Sequence, residues 1–483
     1  MTQTKTQQLS STSVKTSADR PQIFTVWSNE IEGRIDPSFY RPEFKELEKV
    51  IIKGKYEVKT LNEIAEKISS GATPLSGGDA YTDKSEGISF IRSGDIREDK
   101  SIDFDQLLYI KKEIHQKKLK SSQLKKGDVL VAIVGATIGQ VSLYDYDKEA
   151  NINQAIAMVR VNKDINPEYV KEYLLSTVGQ NQLNKIKRPV ARANINLEEV
   201  GSIKIPLPPL SIQNKIVDIM RKAYQEKKEK ETKANKLLES IDDYVLSELG
   251  IKMPEIKREM VFEVMSDKVK SNRIDAEYWQ PFLGKIEQII RWSKYKTQKL
   301  KNFITKIHYG ASTSNAYVDS GIPLLRILNL KPNYIDVSDV VYLPENFRKE
   351  LGNAFVKAGD LLISRSGTVG IVSVVPKEAD GFAFGSFMIR FCLSDEINKE
   401  FVSIWLNNKL NRLLTEREKI GAIQGNITIG TIENFDIPVP SLVIQNKIVE
   451  KIKFYYSQAQ KLKDEANNNL QKAKTKVERI ILG

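Results

Sequence analysis

Cysteine and histidine are scarce in this chain of 483 residues, which holds Cys392 as its one cysteine and His115 and His308 as its two histidines. A single cysteine excludes a disulfide within the chain and fits a reducing compartment, so we expect a cytoplasmic protein. The same scarcity argues against a metal site built from histidine and cysteine. No apolar run approaches the ~20 residues of a membrane span. Residues 1–22 are polar and lack a signal-peptide core, so we expect a disordered tail there.

Acidic residues are outnumbered by basic ones. The 74 lysines and arginines exceed the 62 aspartates and glutamates, giving a net charge of +12 and a pI near 9.2. This balance favours a polyanionic partner, nucleic acid first. Charge alone also fits a basic protein that has no such partner. The length predicts two to four domains, and 41% hydrophobic residues can build ordinary cores.

An internal repeat is the strongest pattern in the chain. IPLPPLSIQNKIVDIM at 205–220 returns as IPVPSLVIQNKIVEKI at 437–452, displaced by 232 positions. Such identity, over a proline-rich junction that leads into a helix, indicates a duplication. A duplicated chain has two similar working surfaces, so we expect its function to come in two halves.

The repeat extends well beyond the junction. The further matched blocks are 23–44 with 261–282, 61–74 with 300–313, 124–139 with 355–370, and 165–174 with 397–406. Insertions and deletions fall between these blocks, which we interpret as a shared scaffold separated by diverged loops. GDVLVAIVG and GDLLISRSG predict short strands after a Gly-Asp turn, whereas the apolar spacing of the last block predicts a helix.

Each junction leads into a long helix that ends at a Leu-Gly pair, at residues 249–250 and 482–483. Apolar residues recur at spacings of three and four, which predicts a heptad seam with one stutter. Lys227, Lys230 and Glu248 interrupt the first seam. The other helix is the obvious partner for each apolar stripe, and the chain path favours antiparallel pairing. A helix packed only on its own globule is the alternative.

These patterns predict an α+β fold with an internal pseudo-two-fold repeat. Two similar α/β globules are separated by two long helices that form an antiparallel coiled coil. The predicted boundaries are the tail at 1–22, the first globule at 23–210, the first helix at 211–250, the second globule at 251–442 and the second helix at 443–483.

This combination resembles the specificity subunit of type I restriction-modification systems, from about residue 23 to the end. The resemblance rests on the two junctions, on the GDVLVAIVGATIG and GDLLISRSGTVG blocks, and on the two long helices. It implies that each globule is a target recognition domain that reads one half of a split, asymmetric site in double-stranded DNA.

The resemblance also implies partners. The helices would dock methyltransferase subunits, expected to be two, and motor-nuclease subunits would join for cleavage, so that the complex directs adenine methylation or restriction. S-adenosylmethionine, ATP and magnesium are then expected on those partner subunits, and no cofactor is expected in this chain.

The residues themselves give no sign of catalysis. The chain has neither a GxxxxGK[ST] phosphate loop nor a [DN]PP[YFW] tetrapeptide of amino-methyltransferases. Asp36 and residues 43–45 fit the D…ExK pattern of nucleases, but the second copy keeps Asp275 and has Phe-Leu-Gly at 282–284. We therefore expect a DNA-binding subunit that is not itself an enzyme and holds no metal.

Four polar, turn-forming stretches adjoin the matched blocks in each copy. We expect them to supply cations for phosphates and planar polar groups for base edges. They are 71–80, 92–99, 135–139 and 185–196 in the first copy, and 310–317, 326–333, 364–370 and 418–428 in the second. The residues predicted to contact DNA are Thr73, Ser76, Arg92, Ser93, Lys185, Lys187, Arg188, Arg192, Asn194, Ser312, Ser314, Asn315, Arg326, Asn329, Arg365, Ser366, Thr368, Gln424 and Asn426.

The last stretch differs usefully between the copies, because Arg192 corresponds to Gln424 while Asn194 corresponds to Asn426. Arginine most often reads guanine, and glutamine and asparagine suit adenine. We therefore predict that the two globules read different half-sites.

Other interpretations stay open at this point. Arg92 and Arg326 could be internal ion-pair partners, and Asn194 and Asn426 could cap the turn before each junction. Two other function classes also remain. One is an assembly scaffold whose globules bind protein, and the other is the recognition subunit of a combined methylase–nuclease.

Overall fold

The computed structural model describes residues 23–31, 33–74, 79–97, 101–188, 193–265, 269, 275–312, 317–419 and 425–483. The predicted tail at 1–22 lies outside them. The chain forms two compact units. Unit 1 comprises residues 1–228 and 466–483, and unit 2 comprises residues 229–465. Each unit therefore contains one half of each long helix.

Unit 1 alternates short strands and helices before its long helix. Its elements are α1 Pro42–Ile52, β1 Val58–Thr60, α2 Leu61–Ile64, β2 Ala65–Ser70, β3 Ile88–Ile91, β4 Leu108–Ile110, β5 Asp128–Ala132, β6 Val141–Tyr144, β7 Ala150–Ile152, β8 Ile156–Val161, α3 Pro167–Leu175, α4 Thr177–Ile186, α5 Leu197–Gly201, β9 Lys204–Pro206 and α6 Leu210–Glu248, which continues into unit 2. Single 3₁₀ turns lie at Ser28–Glu30, Pro37–Tyr40, Ser93–Asp95, Lys120–Ser122 and Gly135–Thr137, and a π turn at Ile114–Lys118.

Unit 2 repeats most of this order, with two additional short strands and one short helix in a different place. Its elements are α7 Pro281–Arg291, β10 Thr297–Lys299, β11 Ile304–Tyr309, β12 Ile322–Leu325, β13 Leu330–Lys331, β14 Tyr334–Ile335, β15 Val341–Leu343, α8 Arg348–Leu351, β16 Leu361–Ser364, β17 Val372–Val374, β18 Ala383–Phe384, β19 Met388–Leu393, α9 Lys399–Asn407, α10 Lys409–Arg417, α11 Ile429–Glu433, β20 Asp436–Pro438 and α12 Leu442–Leu482, which continues into unit 1. Its 3₁₀ turns are Leu300–Asn302, Ile327–Asn329, Glu345–Phe347 and Lys377–Ala379.

The sheets of the two units share one topology. In unit 1 a four-stranded antiparallel sheet has the order β2-β8-β5-β6, and a three-stranded sheet has the order β4-β3-β7 with β3 and β7 parallel. Unit 2 has β11-β19-β16-β17 and β15-β12-β18, again with the last pair parallel. The predicted fold class is thus confirmed, as are the predicted strands after each Gly-Asp turn, β5 and β16.

Both copies keep the aspartate of the Gly-Asp turn, and in each unit its side chain contacts the neighbouring strand of the sheet. Asp128 is buried and forms an ion pair with Arg160, its partner across the β5–β8 pairing, at 2.7 Å. In unit 2 the register places Cys392 opposite Asp360, and the Cys392 thiol donates a hydrogen bond to the Asp360 carboxylate over 3.0 Å. Arg390, two residues earlier on β19, supplies the cation at 3.5 Å. The two copies therefore neutralise the same buried carboxylate from different strand positions.

Within unit 1, the beginning of α6 and the end of α12 share the core of the globule. Ile216, Val217 and Met220 of α6 lie in one buried cluster with Val477 and Ile481 of α12. The cluster also includes sheet residues, so the long helices pack on their globules as well as on each other.

Within unit 2, α6 and α12 run antiparallel, as predicted. Lys230 pairs with Glu465 at 2.5 Å, and Glu248 pairs with Lys447 at 3.0 Å. The later residue of α6 therefore contacts the earlier residue of α12, as antiparallel helices require. The lysine that interrupts the predicted seam is therefore satisfied by a carboxylate on the other helix. No helix among the described residues is long and apolar enough to cross a bilayer.

Candidate nucleic-acid interface

The loop after β2 and the segment after β7 meet at one end of unit 1. Gly71 donates its backbone N–H to the Asn153 carbonyl over 3.3 Å, and the Thr73 hydroxyl donates to the side-chain oxygen of Gln154. A Cβ atom on Gly71 would lie 1.6 Å from the Ile152 carbonyl oxygen, which only glycine avoids. Thr73 and Gln154 are both exposed, so they form a paired polar surface.

The glycine-rich turn at 135–139 joins the predicted stretch at 185–196. Gly135 donates to the Ala193 carbonyl and Ile195 donates to the Ile133 carbonyl, both over 2.9 Å. These bonds bring Asn194, which is exposed, beside the turn. Two stretches that are far apart in sequence therefore form one surface.

Unit 2 repeats this arrangement. Ile427 donates to the Arg365 carbonyl over 3.0 Å, and the Ser366 hydroxyl donates to the side-chain oxygen of Asn426. Thr368 lies exposed at the tip of the turn. The equivalence of Asn194 and Asn426, predicted from the repeat register, thus has a structural counterpart in each unit.

Helix α4 in unit 1 and helix α10 in unit 2 fix the position of the glycine-rich turns. In unit 1 the Gln180 amide of α4 donates to the Gly139 carbonyl over 2.9 Å. In unit 2 the Arg412 guanidinium of α10 donates to the Val369 carbonyl at the corresponding place. Both turns therefore present their tips from a rigid support, which suits a recognition surface.

Arg92 and Arg326 begin equivalent 3₁₀ turns and both form ion pairs. The Arg92 guanidinium contacts Asp95 at 2.8 Å, and this hydrogen bond raises the pKa of Arg92. Arg326 contacts Asp339 at 3.0 Å. Asn329 is buried, and its amide donates to two backbone carbonyls of the same loop. Both arginines are therefore ion-pair partners within their own unit, and their contact with DNA stays a prediction.

The basic residues before the first junction are also paired. Lys185 contacts Glu48 at 3.1 Å and lies 4.6 Å from the centre of the Phe39 ring. Arg188 contacts Glu199 at 3.1 Å with 46% of its side chain exposed. Lys187 follows directly after α4 and is partly exposed. Among the described cations of this stretch, Arg188 is therefore the most accessible to a phosphate.

The caps before each junction fall two residues later than the sequence interpretation allowed. Asn196 accepts from the Glu199 N–H over 2.7 Å and caps α5. Thr428 caps α11 in unit 2. Asn194 and Asn426 lie before these caps, beside the glycine-rich turns, so they do not cap the helices.

Arg365 has the most specific geometry among the predicted residues. Its guanidinium stacks on the exposed Tyr309 ring at 4.8 Å from the centre, and its Nη1 donates to the Ser386 carbonyl over 3.4 Å. Within the described residues its Nε is buried without a hydrogen-bond partner. Arg326 and Arg390 share this buried Nε, so the distinctive feature of Arg365 is that its guanidinium rests on an aromatic ring and a backbone carbonyl. Its positive charge therefore stays available to a phosphate or a base edge.

The remaining predicted residues divide into two groups. Ser93 lies in the 3₁₀ turn after Arg92, and Ser312 is exposed after the strand β11. Five others lie outside the described residues: Ser76, Arg192, Ser314, Asn315 and Gln424.

Sequence reasoning missed the segments 153–155 and 385–387. Each directly follows the parallel strand of its three-stranded sheet and touches the loop after β2 or β11. The repeat does relate the two segments, which are separated by the same 232 residues as the junctions, but nothing in either segment marks a binding loop.

The residues considered for catalysis are occupied by local contacts. Asp36 forms an ion pair with Arg34 at 2.8 Å. His115 is buried and bonded to Asn151. Across the described parts of the chain, no group of three or more histidine, cysteine, aspartate or glutamate residues could hold a metal ion.

Comparison with known proteins agrees with this architecture. The model of the family described as type I restriction modification DNA specificity domain matches residues 53–240 and 292–472. The putative type I restriction enzyme MjaX specificity subunit of Methanocaldococcus jannaschii is 27% identical over 460 residues, covering 92% of this chain and 97% of the relative. The EcoBI specificity subunit of Escherichia coli is 37% identical over 136 residues, only 28% of either chain.

A solved structure shares the fold. It comes from work described as the structural basis of complex assembly and conformational transition of the type I restriction-modification system. The two folds superpose with a TM-score of 0.54 at 16% identity, covering 89% of this chain and 96% of the other.

Proposed function

This chain belongs to the family of type I restriction-modification DNA specificity proteins, and from that premise we propose that it selects the DNA sequence on which its partner subunits act. Unit 1 and unit 2 each read one half of a bipartite, asymmetric site in double-stranded DNA. The chain itself is not catalytic.

One observation carries this proposal. The same hydrogen bonds build the same loop surface in both units, Ile195 to Ile133 in one and Ile427 to Arg365 in the other. The side chains at this place differ, since Ile133 is buried in the core of unit 1 whereas Arg365 is partly exposed and stacks on Tyr309. A constant scaffold that carries variable exposed side chains is what two readers of different sequences require.

The partners follow from the family. Two methyltransferase subunits dock on the long helices, and motor-nuclease subunits join for restriction. Those partners bind S-adenosylmethionine, ATP and magnesium, and they methylate adenine in the DNA or cleave the DNA. The net charge of +12 supports DNA binding, because phosphate contacts supply much of the affinity of such proteins.

The test has two stages. Methylation-sensitive sequencing of DNA from a host with this chain and its methyltransferase should give a split motif with two different halves. An electrophoretic shift should then show binding of the full chain to that sequence, weakening steeply with salt. A single undivided symmetric motif would contradict two different readers, and absence of binding would favour a protein-binding scaffold.

A further inference from the structure

Three exposed apolar side chains stand at the loop surface of unit 2. Tyr309 is 43% exposed, Leu328 is 65% exposed and Phe387 is 47% exposed. They belong to three different segments: the end of β11, the 3₁₀ turn after β12 and the loop after β18. Leu325 and Phe384 are paired in the parallel strands β12 and β18, so the segments that carry Leu328 and Phe387 leave the sheet at the same edge. Exposed apolar residues grouped in this way indicate a contact surface.

The corresponding residues of unit 1 are small. Tyr309 pairs with Ile389 across its sheet as Ser70 pairs with Ala157 in unit 1. The Phe387 carbonyl accepts from the Arg365 N–H over 2.8 Å, as the Ala155 carbonyl accepts from Ile133 over 2.9 Å. These shared bonds make the equivalences structural.

The third position follows from the 3₁₀ turns. The Arg326 N–H donates to the side chain of Asn329, and the Arg92 N–H donates to the side chain of Asp95, each over 2.8 Å. Leu328 therefore corresponds to Gly94. The fold is built with Ser, Gly and Ala at these three positions in unit 1, so it does not demand the large residues of unit 2.

Arg365 connects two of the three apolar residues, Tyr309 and Phe387, to the predicted DNA-facing surface. Its guanidinium stacks on Tyr309, and its backbone N–H bonds to Phe387. The apolar surface thus borders a cation, an arrangement that suits the edge of a base pair. In the major groove only thymine offers an apolar group, its 5-methyl, and phenylalanine is among the side chains that contact it.

We propose that Tyr309, Leu328 and Phe387 form an apolar contact for the 5-methyl groups of thymine in the half-site read by unit 2. Unit 1 lacks this contact and presents the polar pair Thr73 and Gln154 at its own surface. This inference rests on the proposed function and adds a chemical difference between the two readers.

The experiment replaces thymine by uracil, which removes the methyl and keeps the base-pairing edge. Four duplexes of the mapped site carry uracil in neither half-site, in one, in the other, or in both. The full chain should bind about fourfold more weakly for each contacted methyl that is lost. The loss should occur in one half-site and be absent from the other.

Phe387→Ala tests which unit is responsible. This variant should bind thymine DNA more weakly than the wild type and should lose most of its discrimination between thymine and uracil. Phe454→Ala is the matched control, since Phe454 is also 52% exposed in unit 2 but lies on α12 away from these loops. The control should keep the discrimination unchanged.

Three outcomes would overturn the inference. Equal binding of thymine and uracil duplexes by the wild type would exclude methyl recognition. A Phe387→Ala variant that weakens both duplexes equally would indicate a wedge between bases instead, and one that changes neither would point to a protein partner. If the wild-type chain does not prefer the mapped site over scrambled DNA, the proposed function itself fails.

Discussion

Gln213 and Asn166 are joined by a hydrogen bond that recurs in the second copy of the junction. The Gln213 side-chain oxygen accepts from the Asn166 backbone N–H over 2.9 Å, while its amide donates to the Pro208 carbonyl over 2.9 Å. In unit 2, Gln445 makes the same two bonds, to Asn398 over 2.8 Å and to Pro440 over 2.8 Å. In each unit the buried glutamine thus connects the long helix to the proline segment before it and to the N-cap residue of α3 or α9.

Gln213→Ala should destabilise unit 1 selectively. The change leaves the Asn166 N–H and the Pro208 carbonyl without their partner in a buried place, which costs about 2 kcal/mol or more. Urea unfolding should show the loss as a lower midpoint. Lys215→Ala, exposed half a turn further along α6, serves as the control and should change stability by no more than about 0.5 kcal/mol. Equal effects of the two variants would show that the glutamine does not hold the junction.

Glu172→Gln should stabilise the protein at neutral pH. Glu172 is buried on α3 beside Lys171 and the Tyr224 hydroxyl, and burial raises the pKa of its carboxyl above the usual 4.5 despite the lysine. The folded state therefore holds this proton at pH values where the unfolded chain has released it. Stability contributed by Glu172 is lost as pH rises from about 4.5 through the raised pKa.

Glutamine has no proton to lose, so its advantage should be present at pH 7 and should vanish below pH 4.5. Denaturant unfolding across this pH range measures it. Glu198→Gln, on an exposed position of α5, provides the comparison and should gain no stability. A Glu172→Gln variant that is less stable at pH 7 would mean that the Lys171 ion pair outweighs burial.

Cys392 should react slowly with alkylating reagents in the folded protein. Burial and the hydrogen bond to Asp360 raise the pKa of its thiol to about 11. Only the thiolate is reactive, so about one thiol in a thousand is competent at pH 8. The alkylation rate, followed by mass spectrometry with iodoacetamide, should rise about tenfold per pH unit between pH 8 and pH 10. Urea-denatured protein should react much faster at pH 8, and equal rates would refute the burial of this thiol.

Exchanging residues 185–196 with residues 417–428 should change the methylated DNA motif. Both segments lie beside a glycine-rich turn in equivalent places, so the exchange keeps the scaffold and moves the variable side chains. Exchange of the junctions 205–220 and 437–452 is the control, because their buried residues do the same work in both units and the motif should persist. An unchanged motif in the first variant would remove the segment from base recognition.

The repeat in the sequence was enough to predict the scaffold. Gly-Asp turns, strands β5 and β16 and the two long helices all follow from local patterns that recur. The antiparallel pairing was also accessible, because each apolar stripe needs a partner and the chain path limits the choice. Lys230 looked like a defect in the seam, and only the opposing Glu465 shows how that position is satisfied.

The DNA-recognition surface was harder to predict from the sequence, because its residues are brought together by pairing between strands that are distant in the chain. Nothing around Gln154 or Phe387 marks a binding loop. Their place beside the loops after β2 and β11 comes from the parallel strand pairs β3–β7 and β12–β18. Arginines were chosen by type, yet Arg92 is held by the carboxylate of Asp95 whereas Arg365 stacks on the Tyr309 ring; the sequence pattern alone does not separate the two.

The division of the chain into units has a consequence for its synthesis. All residues of unit 2, 229–465, leave the ribosome before residue 466, whereas unit 1 needs Val477 and Ile481 to complete the cluster around Met220. The globule that is translated first is therefore the one that finishes folding last. Until then the cluster around Met220 lacks its two residues from α12, so the last helical turns of α12 complete the core of unit 1.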